Sequence, residues 1–320
     1  MVQCNTLELH WTGTVHDSVK DAPSTALPPL LAIVGPTAVG KTALAIALAR
    51  RMGGEIVSAD SRQIYRKMDI GTAKPTPEER AAVRHHLIDI RDPDEDFSLA
   101  TYQELARAAI ADIMARGGVP LLVGGTGQYL AAVLEGWQIP RVAPQPELRA
   151  SLERQAAEAG AEALHARLAA VDPVAAARIP ATNVRRVVRA LEVYMLTGQP
   201  ISAQQRREAP PYQIRTIWLT RPRDELYARA DARVEAMIAA GLVDEVAGLL
   251  AAGYGWHLPA MSSLGYIQFR AYFEGAASLA TCIERLKFDT HAFIRRQAAW
   301  FRRLPNVEIW TPEHPEWLTS

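Results

Sequence analysis

Up to about residue 123 the apolar positions come in short runs; between residues 140 and 211 they recur at helical spacing. Leu30-Leu31-Ala32-Ile33-Val34 is such a run, stopped by Gly35. It predicts a buried parallel strand. A glycine-rich turn follows, then a helix over residues 42–51. Residues 55–59, ending at Asp60, predict a second strand, and residues 87–90 a short third. Residues 99–116 predict a helix, and residues 119–123 another apolar strand, stopped by Gly124-Gly125. Strands alternating with helices predict a doubly wound α/β sheet, with ligands beyond the C-terminal strand ends. Those ends carry Gly35, Asp60 and Gly124.

Strand-like runs vanish between Pro140 and Pro211, where residues 147–170 and 184–196 read as helices and Gly198 stops the second. Residues 213–219 resume the sheet, and long helices follow over 224–240 and 280–303. The expected organisation is a core of residues 27–139 and 212–320 interrupted by a helical insertion, 140–211. Residues 1–26 have no clear period and are expected to be a dispensable, poorly ordered extension.

Composition narrows the function classes. Thirty-five basic residues balance 35 acidic ones, which excludes a globally basic nucleic-acid binder and leaves room for a local basic patch. Lysine occurs only at 20, 41, 67, 74 and 287, so positive charge is almost all arginine. Two cysteines, Cys4 and Cys282, exclude a disulfide scaffold and a four-cysteine zinc site. No apolar run approaches the roughly 20 residues of a membrane span, and no secretory pattern opens the chain. A cytoplasmic location is the expectation.

Gly35, Pro36, Thr37, Ala38, Val39, Gly40, Lys41 and Thr42 match G-x-x-x-x-G-K-[ST], with the required strand before and helix after. Such a loop wraps an anion with backbone N–H groups at a helix start. Lys41 reaches the outer phosphate, and Thr42 is the candidate Mg²⁺ ligand. The motif predicts a P-loop NTPase-like core and two linked phosphates, without saying whose. The strand at 119–123 runs into glycines and Thr126, not into the acid an NTPase usually places there. Asp60 is the nearest acid by topology; a helix cap, a carboxylate near Mg²⁺ and a catalytic base are all open readings of it.

Longer stretches carry a resemblance. Gly35–Thr42, Ser58-Ala59-Asp60-Ser61-Arg62-Gln63-Ile64-Tyr65, Met68-Asp69-Ile70-Gly71-Thr72-Ala73-Lys74-Pro75, His86-Leu87-Ile88-Asp89, Asp172-Pro173-Val174 and Leu264-Gly265-Tyr266 resemble the tRNA dimethylallyltransferases. The likeness runs from about residue 30 to 303. It implies transfer of a dimethylallyl group from dimethylallyl diphosphate to N6 of the adenosine just 3′ of a tRNA anticodon. By that likeness residues 37–42 bind the diphosphate, with Mg²⁺ on Thr42. Asp60 is the base, and Thr126 and Arg233, with Arg229 beside it, assist. Asp60, Ser61, Arg62, Gln63, Thr126, Arg149, Arg185, Arg186, Val187, Val188 and Arg189 contact tRNA.

The chemistry suits these residue types. The adenine amino lone pair is delocalised, so a carboxylate that accepts its proton assists attack. Cations stabilise the departing diphosphate. Arg229 and Arg233 share a helix face, which a solvated charged face would explain as well. The same holds for Arg185, Arg186 and Arg189, and for Lys287, His291 and Arg295. Ile267 and Ser262 stand where the family commonly has arginine, so RNA contacts there are in question. The expected partners are the tRNA anticodon stem-loop and dimethylallyl diphosphate, with no membrane and a monomeric enzyme. Competing readings are a P-loop small-molecule kinase, an adenylate dimethylallyltransferase acting on free nucleotide, and a non-catalytic RNA binder with a degenerate loop.

Overall fold

A computed structural model describes residues 27–312 and 314. The extension 1–26 lies outside the described residues. Six strands form one all-parallel sheet: β1 (Pro29–Val34), β2 (Gly54–Ala59), β3 (His85–His86), β4 (Val119–Gly124), β5 (Gln213–Leu219) and β6 (Val307–Trp310), in the order β3-β2-β4-β1-β5-β6. The α/β class and parallel sheet agree with the sequence reading.

Alternation along the strands divides the core into two faces. Leu31, Ile33, Leu121, Val123, Ile217 and Leu219 pack with α1 (Lys41–Met52) on one face. Leu30, Val34, Val57 and Leu122 pack on the other. There they meet α3 (Leu99–Ala115), which follows the short α2 (Pro77–Ala82), and α4 (Gly127–Leu134). Continuous apolar runs are therefore strands buried on both sides.

Residues 87–90 are not a strand. Leu87 and Asp89 have φ of +63° and +57°, and the pairing strand is His85–His86. The turn lets the N–H groups of Asp89 and Ile90 reach the carbonyls of Gln63 and Ile64. It also lets the Asp89 carboxylate meet Lys74 and Arg80.

Between Trp137 and Glu208 the chain forms α5 (Pro146–Ala159), α6 (Ala161–Val171), α7 (Pro173–Ala176), α8 (Val184–Thr197) and α9 (Ile201–Gln204). The single helix expected over 147–170 is broken at Gly160, whose φ of +90° suits glycine and ends α5. Leu152, Leu164, Leu168, Val187, Val188 and Leu191 make a core for this block. The incoming and outgoing chain are tied where Gln138 N–H donates to Arg206 O and Glu208 N–H to Gly136 O.

After β5 come α10 (Arg223–Ala239), α11 (Leu242–Ala251), α12 (Arg270–Phe273) and α13 (Leu279–Phe301). Ser278 caps α13 by accepting Thr281 N–H. That helix is 23 residues long and buries Cys282, Leu286, Thr290, Ile294, Gln297 and Phe301, a stripe at spacings of three and four. It runs past the strand ends and forms one wall of the site.

Candidate active site at the strand ends

The loop after β1 is shaped by steric necessity. A Cβ at Gly35, where φ is +154°, would lie 2.7 Å from Leu219 O. Gly40 has φ +109° and precedes α1 with no side-chain cap, which leaves the helix start open to an anion. Ala38 also takes a left-handed φ of +64°, which is uncommon for a residue with a Cβ. Two arginines brace the loop: Arg229 Nε donates to Ala38 O at 2.9 Å, and Arg221 Nε to Val39 O at 3.0 Å. Lys41 Nζ donates to Pro36 O at 2.8 Å.

Cations crowd this loop. Burial and the neighbouring Arg233 depress Lys41 to a pKa of about 8, against an upward pull from Asp60. Burial and Arg229 lower Arg233 in the same way. An anion bound among these cations would relieve their mutual repulsion. The sequence reading has this loop hold a diphosphate, and only the ammonium form of Lys41 would attract it, so affinity for an unreactive diphosphate is expected to fall as pH rises through about 8. Calorimetric titration across that pH checks this; a flat profile contradicts it.

Asp60 leaves the end of β2, and its Oδ1 accepts the N–H groups of Arg62 at 2.8 Å and Gln63 at 3.4 Å. The turn that follows is thereby fixed. Thr126 at the end of β4 accepts Ser61 N–H on Oγ1 at 3.0 Å and donates its own N–H to Ala59 O. The threonine thus locks the ends of β2 and β4 together. The nearby glycines answer to packing: a Cβ at Gly124 would lie 2.2 Å from Ala59 O, and one at Gly127 would lie 2.4 Å from the Trp300 ring.

Part of this assembly borders a cavity of about 660 Å³; Lys41 and Thr42 are not on its lining. Thr37, Ala38, Asp60, Ser61, Arg62, Thr126 and Arg233 line it. Val234, Met237, Leu264, Ile267, Phe293 and Trp300 supply an apolar wall. The two replaced arginine positions, Ser262 and Ile267, both face this cavity.

Gln63 is not on that lining. Its side chain bonds Ser58 Oγ and the carbonyls of Thr72 and Ala73, so it holds the 68–75 loop and does not offer its amide to a base. Within that loop Lys74 is 4% exposed and bonds Tyr65 O, Asp69 and Asp89, a structural use of a motif lysine. Sequence reasoning missed Glu245, which accepts the N–H groups of Asp69, Ile70 and Gly71 and the Tyr266 hydroxyl. It missed Arg221 and Gln297 as well. Their bonds to the main chain of the site loops cross more than 170 positions, and no local pattern marks them.

The expected RNA contacts divide. Arg185 and Arg186 are exposed on α8. Val187 and Val188 are 1% and 2% exposed in the insertion core, so their side chains cannot meet tRNA from this packing. Arg149 and Arg189 both bond Glu192, which is fully buried, and Arg189 also reaches Val142 O. These two guanidinium groups hold the insertion together. Lys287, His291 and Arg295 face α10 instead of forming a free basic stripe: they bond Glu235, Asp231 and the Tyr227 hydroxyl respectively.

Comparison with known proteins places this architecture. The family model described as IPP transferase matches residues 63–304. A tRNA dimethylallyltransferase of Chloroflexus aggregans is 77% identical over 288 residues, 90% of this chain and 97% of that protein. One from Roseiflexus castenholzii is 70% identical over 290 residues, 91% of this chain and 95% of that protein. The crystal structure of a tRNA isopentenylpyrophosphate transferase from Bacillus halodurans matches with TM-score 0.66 and 43% identity, over 88% of this chain and 89% of that one. A eukaryotic dimethylallyltransferase captured acting on tRNA matches with TM-score 0.76 and 26% identity, over 89% of this chain and 74% of that one. The chain belongs to the IPP transferase family.

Proposed function

We propose that this chain is an enzyme that transfers the dimethylallyl group of dimethylallyl diphosphate to N6 of the adenosine 3′ of the anticodon in tRNA. The observation that carries the reading is one cavity that gathers Thr37 and Ala38 of the loop, Arg233, Asp60 and Thr126 around an apolar wall. The loop amides, Lys41 and Arg233 receive the diphosphate. The apolar wall suits a prenyl chain, whereas the sugar and base of a nucleoside triphosphate would leave polar groups unpaired there. Asp60 accepts the amino proton as the new N–C bond forms and the C–O bond to diphosphate breaks.

Mg²⁺ is the expected cofactor; the Thr42 hydroxyl would hold it, with the rest of the shell left to substrate and solvent oxygens. Such a shell needs few protein ligands, and no group of three His, Cys, Asp or Glu suited to a metal occurs among the described residues. When bound, the ion neutralises charge on the departing diphosphate. A cytoplasmic location and a monomeric state belong to this proposal as expectations from the sequence. Separately, no described helix is long and apolar enough to cross a membrane.

The insertion, residues 140–211, clamps the anticodon stem-loop, with the target base turned out toward the cavity. Arg185 and Arg186 meet RNA phosphates. Changing both to Ala is expected to weaken tRNA binding and lower its salt slope by about 0.7–0.9 for each phosphate no longer neutralised. Affinity for an unreactive diphosphate should hold. Equal loss of both affinities contradicts the assignment.

Incubation with labelled dimethylallyl diphosphate, Mg²⁺ and either unmodified tRNA or free adenylate tests the whole reading. Label is expected in tRNA. Label entering adenylate alone, or neither acceptor, overturns it.

A further inference from the structure

Gln297 is 6% exposed on α13, and both ends of its amide are committed. Oε1 accepts Thr37 N–H at 2.9 Å, and Nε2 donates to Gly125 O at 3.1 Å. The glycine is matched to it, since a Cβ at Gly125 would lie 2.4 Å from Nε2. The strands beneath are neighbours, with Val34 paired to Gly124. Beyond that pair the ladder ends, and the phosphate loop and the glycine turn go separate ways. The amide spans that gap. From Gly125 the connection runs on through Thr126 to Ser61 and the Asp60 turn.

Taking the transferase reading above as its basis, we propose that Gln297 is a positioning residue for group transfer. Although Gln297 borders the cavity, both ends of its amide are spent on backbone groups, so its role is to position and not to react. It sets the separation between the diphosphate loop and the Asp60–Thr126 edge that receives the amino nucleophile. A misplacement of about 1 Å between reacting partners can cost about 10²-fold in rate, so a fixed strut between the two half-sites has a direct kinetic consequence. A purely structural glutamine would lower stability and leave the rate of bound substrates alone.

The test compares Gln297→Leu, Gly125→Ala and their combination in single-turnover transfer at saturating dimethylallyl diphosphate and tRNA. Each single change is expected to slow transfer by about 10–10²-fold. The dissociation constants for an unreactive diphosphate and for tRNA should move by less than about threefold. The combination should be no slower than the worse single variant, because both break the same hydrogen-bonded link. Gln103→Leu is the matched control: Gln103 is 8% exposed and its amide bonds the carbonyls of Ala132 and Trp137, away from the cavity. It is expected to lose stability and keep its rate.

Amide exchange at Thr37 should quicken in Gln297→Leu and not in Gln103→Leu. Parental rates in the Gln297 and Gly125 variants, multiplying losses in the combination, a slow Gln103→Leu or unchanged Thr37 exchange would each overturn the proposal. An unsubstituted protein that transfers nothing would sink the transferase reading instead. The exchange comparison would then still decide whether the strut exists.

Discussion

Asp60→Asn is expected to slow dimethylallyl transfer by about 10²–10⁴-fold, the usual cost of losing a general base. The substitution is mild structurally. Asp60 Oδ1 accepts the N–H groups of Arg62 and Gln63, and an asparagine Oδ1 can do the same, so the turn after β2 survives. What disappears is a basic oxygen facing the cavity. Diphosphate affinity should barely change well below pH 8, where Lys41 stays charged; nearer pH 8 the loss of the upward pull of Asp60 on Lys41 opposes the relief of repulsion between Asp60 and the anion. The measurement is single-turnover transfer across a Mg²⁺ titration. A rate restored by excess Mg²⁺ would assign the carboxylate to the metal and contradict the base role.

Glu192→Ala should be the most damaging change away from the cavity. The carboxylate is fully buried and holds Arg149, Arg189 and Gln145 N–H, with both oxygens used. Removing one member of a buried ionic cluster costs about 3–5 kcal/mol, because the remaining charges lose their partner. Burial alone would raise the Glu192 pKa, but the bonds from Arg149, Gln145 and Arg189 outweigh it and hold the group below the usual carboxylate range. Its contribution is therefore present above the ordinary glutamate pKa and is lost as pH falls toward the lowered one. Denaturant melts at neutral and acid pH, with amide exchange at Val187 and Val188, check both statements. The expected result is early opening of the insertion at neutral pH in the variant, and a smaller difference from the parent in acid. Unchanged stability with weakened tRNA affinity would instead return Arg149 and Arg189 to the RNA surface.

Much of the fold was legible because buried parallel strands write themselves as apolar runs. β1, β2, β4 and β5 stand where those runs stand. The short third strand was misplaced by two residues, since Leu87-Ile88 is apolar but serves a turn with positive φ. β6 was missed: Val307-Glu308-Ile309-Trp310 is an edge strand of mixed character. The helices α4 and α11 were missed too, the first because its start at Gly127 looks like the end of a loop.

In the site, the local motif marked the loop after β1, whose eight residues are contiguous. The long-range supports of the site were invisible, since Arg221 and Gln297 reach the loop after β1, and Glu245 reaches the 68–75 loop, only after folding. The arginine cluster on α8 misled for a related reason. Helical spacing shows which residues share a face, but not that Arg189 turns inward to a buried glutamate while Arg185 and Arg186 stay in solvent.

The most direct test of the central claim is the chemical position of the transferred group. Unmodified tRNA is incubated with labelled dimethylallyl diphosphate, Mg²⁺ and the purified protein, then digested to nucleosides and mapped by fragment. The account predicts label on N6 of the single adenosine 3′ of the anticodon, in the parent protein and far more slowly in Asp60→Asn. Label on another nucleoside, or parental labelling by Asp60→Asn at every Mg²⁺ concentration, would contradict it.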